Sequence, residues 1–301
     1  MRFRALSLLV LALWVVACNG DVTGAGPVSP AVPPPSNLLV QRADFAQEVR
    51  VNQALIVLAA ESRLENAPVT VFSGARYVNV DDVAAFSLEA GAFFDLAGWS
   101  QRFGQLGLTP SSDVVVYDDG ELKFASRIRF LLLHFGVARA RILVEGFRAA
   151  EQVDMRHLAP LVPTRFEARI LNAPIPVVFR PDVAALLGDP LVQIVDVRTP
   201  AEFNGQLLLP GDARPGHIPG AVNVDENRIF NQGVLRSTQE LRALFESAGL
   251  SPARRTVVYC HDGAKSSLIA SFLVELGWSD VSLYYDSYQD WSKDLSLPVE
   301  L

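Results

Sequence analysis

The chain contains an internal repeat, and this repeat limits the possible fold more than any other feature of the sequence. Residues 108–118 (LTPSSDVVVYD) align with residues 250–260 (LSPARRTVVYC), which lie 142 positions further along the chain. The apolar run 128–135 then aligns with 269–276 at an offset of 141. Each copy has the pattern of a buried strand, a polar turn and a helix. Duplication of one α/β unit is the simplest explanation, so we predict two similar domains.

The composition agrees with two domains and argues against one class of function. The chain has 301 residues, of which 50% are hydrophobic and 20% charged, so it is long enough for two globular domains. The formal net charge is −7 and the isoelectric point is about 5.2. Nucleic-acid binding usually shows as a basic surface that contacts phosphates, so we expect no nucleic-acid partner.

Proline and glycine divide the chain into segments. Residues 19–37 are rich in both, cannot build a core and are typical of a tether. Several prolines between 153 and 180 indicate a connector between domains. We predict a signal peptide at 1–18, a tether at 19–37, a first domain at 38–152, a connector at 153–180 and a second domain at 181–301.

The first 18 residues have the pattern of an export signal. Arg2 and Arg4 flank the start of an apolar stretch at 5–17 that is too short to span a bilayer. The stretch ends in Val-Val-Ala-Cys, which resembles the lipobox of bacterial lipoproteins. The resemblance implies cleavage before Cys18, lipidation of that cysteine and anchoring to a membrane of the bacterial cell envelope, facing the periplasm. A plain signal peptide with an incidental cysteine is the alternative.

The segment 256–267 (TVVYCHDGAKSS) places Cys260 between a strand and a helix. At such a position, unpaired backbone N–H groups and the positive end of the helix dipole stabilise a thiolate, which is the nucleophilic form of cysteine. Lys265, and His261 when protonated, would add positive charge, whereas Asp262 opposes it. The alternative is that Cys260 is a small buried hydrophobic residue.

The number of cysteines supports a chemical role for Cys260. The chain has two cysteines, and if Cys18 carries lipid, Cys260 is left without an internal disulfide partner. A lone thiol in an oxidising compartment risks mispairing and overoxidation, so its presence suggests that the thiol is used.

Four ordered segments of the second half resemble the rhodanese-type sulfurtransferases. They are IVDVRTPAEF at 194–203, GHIPGAVN at 216–223, the loop CHDGAK at 260–265 and YDSYQDW at 285–291. In that family a cysteine in the corresponding loop carries sulfur as a persulfide. The resemblance implies an α/β fold with two tandem domains, each a central, mainly parallel sheet flanked by helices. It also implies that Cys260 is catalytic, without a cofactor or metal.

The first half lacks this chemistry because Asp118 stands where Cys260 stands in the second half. The strand predicted at 54–60 also has neither the aspartate nor the arginine of its counterpart. Tandem rhodaneses commonly pair an inactive first domain with an active second one, and this chain resembles that arrangement. A metal-binding or acid–base role for Asp118 is the alternative.

Further residues of the second half are expected to support the site. Asp196 and Arg198 alternate along a strand and therefore point the same way, towards the sheet edge where Cys260 lies. The resemblance implies that Arg198 helps to hold an anionic substrate, with Asp196 and Glu202 in support. A structural pair between Arg198 and either carboxylate is the alternative. The loop residues expected around the substrate are His261, Asp262, Gly263, Ala264 and Lys265.

Two other residues of these motifs are expected to be structural. His217 lies in a segment that is chiefly architectural in the family, where the histidine is generally packed and hydrogen-bonded. Trp291 is expected to pack in the core or at a domain interface.

The implied reaction moves sulfur from a small anionic donor such as thiosulfate to a thiol or cyanide-like acceptor. Two departures leave the donor open. Asp262 occupies a position that is basic in typical thiosulfate-using enzymes, and His261 and Asp262 also differ from the small, neutral loop residues of mercaptopyruvate-type enzymes. A phosphatase of related fold needs an arginine six residues after the cysteine, and this chain has Ser266 there. A non-enzymatic persulfide carrier, redox sensor or binding module on the same fold is the remaining alternative.

Overall fold

A computed structural model of the chain describes residues 37–62, 71–170 and 173–301. The predicted signal peptide, Cys18 and all but the last residue of the predicted tether lie outside these ranges. Within the described ranges, no helix is long and apolar enough to cross a membrane.

The first repeat is built on a five-stranded parallel sheet with the strand order β1-β5-β4-β2-β3. Its strands are β1 (Leu39–Val40), β2 (Ile56–Glu61), β3 (Arg76–Asn79), β4 (Asp113–Tyr117) and β5 (Arg139–Leu143). Its helices are α1 (Arg42–Val51), α2 (Val80–Ser87), α3 (Leu96–Gln105), α4 (Lys123–His134) and α5 (Phe147–Ala150), with a 3-10 turn at Ala92–Phe94.

The second repeat has a five-stranded parallel sheet with the equivalent order β6-β12-β11-β7-β8. Its strands are β6 (Val177–Val178), β7 (Val192–Asp196), β8 (Val222–Asn223), β11 (Arg255–Tyr259) and β12 (Val281–Tyr284). A separate hairpin pairs β9 (Phe230–Asn231) with β10 (Val234–Leu235). The helices are α6 (Arg180–Ala185), α7 (Pro200–Phe203), α8 (Thr238–Ser247), α9 (Ala264–Glu275) and α10 (Ser287–Trp291), with a 3-10 turn at Glu226–Ile229.

The two matching strand orders confirm the predicted α/β fold with two parallel sheets. In each repeat the central strand, β4 or β11, is apolar and covered on both faces after its first residue, as strands of parallel sheets usually are. Each central strand ends immediately before the residue that distinguishes the repeats, Asp118 or Cys260. The repeat therefore places these two residues at equivalent carboxyl edges.

The two repeats meet through equivalent helices, because α4 packs against α9. Aromatic rings continue this contact, with Phe93 and Phe130 of the first repeat 4.9 Å and 5.8 Å from the ring of Tyr285. The hydroxyl of Tyr285 also hydrogen-bonds Ser87 of the first repeat at 2.8 Å. The end of β12 is therefore fixed by residues of the other repeat.

The helix after Cys260 begins earlier than the apolar pattern predicts. That pattern places its start near Ser266, whereas α9 begins at Ala264 after the N-cap residue Gly263. In the first repeat the N-cap residue of α4 is Leu122, so the first loop is one residue longer than the second. Polar residues of a first helical turn carry no apolar periodicity, which explains the late prediction.

Candidate active site

The sulfur of Cys260 lies between the end of β11 and the start of α9. The backbone N–H of Gly263 donates a hydrogen bond to Sγ at 3.1 Å, and the hydroxyl of Ser266 donates another at 3.3 Å. Cys260 is 1% exposed. Both donors approach the sulfur at the N-terminal end of α9, where the partial positive charge of the helix dipole lies.

Gly263 is needed for this geometry because its backbone is left-handed, with φ of 96°. A Cβ added at this position would lie 2.7 Å from the carbonyl oxygen of Tyr285, which is closer than real contacts allow. Glycine therefore lets the loop turn tightly enough to aim its N–H at the sulfur.

Ser287 contacts Cys260 from the side opposite α9, and the backbone of Ser287 itself is strained. Its φ is 59°, where the equivalent residue of the first repeat is Gly146 with φ of 54°. The Ser287 hydroxyl accepts the N–H of Cys260 at 3.1 Å, donates to the carbonyl of Tyr284 at 2.9 Å and lies 3.9 Å from Sγ. Strain of this kind persists only where neighbouring contacts enforce it and is common at functional sites.

In the first repeat, the carboxylate of Asp118 lies inside the equivalent loop. The carboxylate accepts hydrogen bonds at 2.9–3.1 Å from the backbone N–H groups of four residues, Gly120, Leu122, Phe124 and Ala125. Burial raises the pKa of Asp118 to about 6, while the N–H donors act in the opposite direction. The loop of this fold is therefore suited to holding an anion, and the first copy holds a carboxylate that cannot form a persulfide.

The metal-binding alternative for Asp118 finds no support in the part of the chain that the structure describes. There, no group of three or more His, Cys, Asp or Glu side chains is arranged to hold a metal ion. The four backbone hydrogen bonds use both carboxylate oxygens of Asp118, which agrees with a structural role.

The contacts of Arg198 favour the structural alternative over the predicted role in holding the substrate. Its guanidinium bonds the carboxylate of Asp196 at 2.6 Å and the carbonyl of Gly216 at 2.8 Å, and it lies 3.9 Å above the ring of Tyr288. Arg198 is 1% exposed. These contacts engage the guanidinium with buried protein groups, as expected for a structural pair with Asp196.

The other predicted supporting residues lie in two places. Asp196 is fully buried and shares its carboxylate with Arg198, as the strand alternation predicts. Glu202 caps the short helix α7, where its carboxylate accepts the backbone N–H and the hydroxyl of Thr199 at 3.1 Å and 2.6 Å. Both side chains therefore stabilise the short segment that follows β7 and includes α7. Neither makes a hydrogen bond to the sulfur of Cys260.

The charged residues of the loop each face an oppositely charged group. His261 Nε2 lies 3.2 Å from Asp212, and Lys265 Nζ lies 3.6 Å from Glu226. Burial acts to lower the pKa of His261, but Asp212 and other nearby carboxylates raise it overall. The remaining loop residue, Ala264, is buried as the first residue of α9.

His217 and Trp291 have the structural roles expected of them. The ring of His217 stacks on Phe203 at 3.6 Å, and its Nδ1 contacts the Phe203 carbonyl at 2.8 Å. Trp291 is fully buried and donates its indole N–H to the carbonyl of Pro298 at 3.0 Å.

Sequence reasoning missed Arg127, which reaches the loop after Cys260 from helix α4 of the first repeat. It donates to the backbone carbonyl of Asp262 at 2.7 Å and pairs with the Asp262 carboxylate at 2.9 Å. One signal in the sequence could have found it. At the offset of 141, Arg127 aligns with Leu268, so a charge stands in an apolar helical run where the other copy has leucine.

Two cavities lie away from the sulfur. One of about 410 Å³ is lined by residues of both repeats, including Phe94, Phe179 and Asp286. The other, of about 550 Å³, lies within the first repeat between α2, α3 and α4. Neither is lined by Cys260 or by residues 261–265.

Comparison with known proteins agrees with this fold and loop. Residues 180–294 match the model of the rhodanese-like domain. The 3-mercaptopyruvate sulfurtransferase of Escherichia coli K12 is 32% identical over 200 residues, covering 65% of this chain and 70% of that protein. A putative thiosulfate sulfurtransferase of Mycobacterium tuberculosis H37Rv is 30% identical over 220 residues, covering 69% of this chain and 78% of the relative.

Solved structures show the same fold over most of the described chain. The crystal structure of the Escherichia coli 3-mercaptopyruvate enzyme has a TM-score of 0.67 at 24% identity, covering 83% of this chain and 98% of that one. An anaerobic ergothioneine biosynthesis enzyme from Chlorobium limicola has a TM-score of 0.72 at 22% identity, covering 88% of this chain and 70% of that one.

The fold and the cysteine loop define a protein of the rhodanese class. With relatives at 30% identity or more over most of their length, the chain belongs to the family of rhodanese-type sulfurtransferases.

Proposed function

We propose that this protein transfers a sulfane sulfur from a small anionic donor to a thiophilic acceptor through a persulfide on Cys260. The observation that carries the proposal is the pair of hydrogen bonds from Gly263 and Ser266 to Sγ at the start of α9. Donors placed around a sulfur stabilise the attacking thiolate and then the persulfide that replaces it.

The first step with thiosulfate as donor is a displacement at sulfur. The Cys260 thiolate attacks the outer sulfur of thiosulfate, the S–S bond of the donor breaks, and its electron pair leaves with sulfite. Cys260 then carries a deprotonated persulfide, so total charge is conserved. In the second step an acceptor such as cyanide attacks the outer sulfur, giving thiocyanate and the original thiolate.

The names of the two relatives suggest two donors to compare, 3-mercaptopyruvate and thiosulfate. The purified protein should be incubated with each donor and with cyanide, and sulfite, pyruvate and thiocyanate measured. We expect turnover with at least one donor and none in Cys260→Ser. Equal turnover in Cys260→Ser would refute the role of this residue.

A second measurement separates transfer from simple binding. After treatment with the donor alone, peptide mass spectrometry should detect one added sulfur on the peptide that contains Cys260. A persulfide that forms but is not passed to cyanide or a thiol would instead favour the non-enzymatic carrier or sensor.

We also propose that the protein is exported and anchored through lipid on Cys18. The support is the pattern of residues 1–18, with a basic start, a short apolar stretch and the lipobox-like end. Expression with labelled palmitate in a bacterial host should label the wild type and Cys260→Ser but not Cys18→Ser. Equal labelling of Cys18→Ser would contradict the anchor.

A further inference from the structure

Arg127 belongs to the repeat that lacks the cysteine, yet its side chain is built into the catalytic loop of the other repeat. Its Nη2 donates to the Asp262 carbonyl at 2.7 Å and lies 2.9 Å from the Asp262 carboxylate. One guanidinium group therefore holds both the backbone and the side chain of a residue two positions after Cys260. These two contacts orient the backbone of Asp262 and also place a positive charge next to its carboxylate.

The environment of Arg127 makes this contact rigid. Its side chain is 3% exposed and lies 5.8 Å from the centre of the Tyr285 ring. The Tyr285 hydroxyl is in turn held by Ser87 of the first repeat at 2.8 Å. A buried guanidinium has few alternative positions, so it defines where the loop carbonyl and the Asp262 carboxylate can lie.

Asp262 is the residue that most needs this partner. An uncompensated carboxylate two residues after Cys260 would oppose formation of a thiolate. Burial acts to raise the pKa of Asp262, but the charge and hydrogen bond of Arg127 outweigh it and lower that pKa. For Arg127, burial acts to lower the pKa, whereas Tyr285, Asp262 and Cys260 raise it overall.

The other charged groups around the loop are already engaged with one another. Lys265 faces Glu226, and His261 faces Asp212. Glu226 is also close enough to Lys123 and Glu121 of the first repeat to feel their charges. The positive charges of Lys265 and His261 are therefore shared with carboxylates, and neither contacts Asp262 as Arg127 does.

We propose that Arg127 of the first repeat is a positioning residue for the catalytic loop of the second. It neutralises Asp262 and fixes the loop so that Cys260 ionises and accepts sulfur. The first repeat thus contributes a side chain to the working site, although it has no cysteine of its own at the equivalent position. The link to sulfur transfer rests on the function proposed above, whereas the effect on ionisation of Cys260 does not.

The test follows ionisation of Cys260 directly, by thiolate absorbance at about 240 nm across a pH titration of the full chain. For each variant, the absorbance of the same protein with Cys260→Ser added is subtracted at every pH. This removes the contributions of Cys18 and the tyrosines. We expect Arg127→Met to raise the titration midpoint by about one pH unit, because Asp262 is left uncompensated. We expect Asp262→Asn to lower the midpoint, and Arg127→Met/Asp262→Asn to return close to the wild type.

Arg129→Met is the matched control, since Arg129 also lies on α4 and donates to Ser271 of α9 at 3.2 Å without contacting the loop. It should leave the midpoint unchanged. Arg127→Lys keeps the charge without the planar guanidinium, so we expect an intermediate midpoint. If Arg127→Met does not fold, the midpoint of Arg127→Lys decides the question, because an unchanged midpoint there would show that the guanidinium does not position the loop.

Sulfur transfer measured on the same variants separates the two proposals. At pH 7 we expect kcat/KM of Arg127→Met to fall by the same factor as the thiolate fraction read from its titration curve. An unchanged midpoint in Arg127→Met would overturn the role of Arg127, whatever the midpoint of Asp262→Asn. Shifted midpoints in a protein that transfers no sulfur would support that role and refute the function proposed above.

Discussion

Asp118 and Cys260 occupy the same position in the two repeats, each directly after a central strand and before the loop that starts a helix. Asp118 accepts four backbone N–H groups, whereas the sulfur of Cys260 accepts one N–H and one hydroxyl. In the first repeat, the N–H groups of this loop thus donate to an anion that the chain itself supplies, the carboxylate of Asp118. In the second repeat the same kind of loop surrounds a side chain that can react.

Replacement of Asp118 by asparagine should destabilise the protein. The introduced amide NH₂ group would face N–H donors that the carboxylate accepts now, leaving buried donors without partners. We expect the free energy of unfolding of Asp118→Asn to fall by about 1–3 kcal/mol, measured by urea denaturation. Asp119→Asn, at the exposed neighbouring position, is the control and should change stability by less than about 0.5 kcal/mol. An unchanged stability in Asp118→Asn would show that these bonds contribute little.

Two substitutions of Ser287 separate strain from hydrogen bonding. Ser287→Ala keeps a side chain at φ of 59° but loses the hydroxyl that binds the Cys260 N–H, whereas Ser287→Gly loses the hydroxyl and relieves the strain. We expect both variants to lose about tenfold or more in kcat/KM, and the glycine variant to be the more stable by about 1 kcal/mol. Activity assays and thermal unfolding test this, with exposed Ser296→Ala as control. Full activity in both variants would exclude a role for the hydroxyl.

Loss of Arg198 should affect stability more than recognition of the donor. Arg198→Met leaves the buried Asp196 carboxylate without its cation, so we expect the free energy of unfolding to fall by about 3–5 kcal/mol. Asp196→Asn/Arg198→Met should recover part of this loss, while Arg228→Met at an exposed site should have little effect. A stable Arg198→Met with a strongly raised KM for the donor would restore the substrate-binding interpretation.

His134 should make stability depend on pH. Burial among phenyl rings lowers its pKa to about 4, whereas an unfolded chain has a histidine pKa near 6.5. Below about pH 6.5 the unfolded state therefore binds a proton that the folded state does not, and stability contributed by neutral His134 is lost as the pH falls towards 4.

The measurement is the free energy of unfolding of the wild type minus that of His134→Phe, from about pH 7 to about pH 4. We expect this difference to fall by roughly 1–3 kcal/mol over that range. The same subtraction with exposed His157→Gln serves as the control. A difference independent of pH would mean that the pKa of His134 is the same in the folded and unfolded states.

Much of the fold follows from local patterns along the chain. The largely apolar stretches of the sequence at 191–197 and 256–258 lie within one or two residues of β7 and β11, because such stretches mark strands covered on both faces. Helix starts are predicted less accurately, since the first turns of α4 and α9 contain polar residues that resemble a loop in the sequence. The reactive position of Cys260 is predictable because its strand, loop and helix are adjacent in the chain.

The sequence by itself determined the duplication, the exchange of cysteine for aspartate between the copies, and the placement of Cys260 at a helix start. Only the tertiary structure decided which charged side chains contact the loop of that cysteine. Arg198, which follows the neighbouring strand, is bound by buried partners, while Arg127 reaches the loop from 133 positions before Cys260 in the chain. Local periodicity specifies elements, but the partner of a buried charge depends on how distant helices such as α4 and α9 pack together.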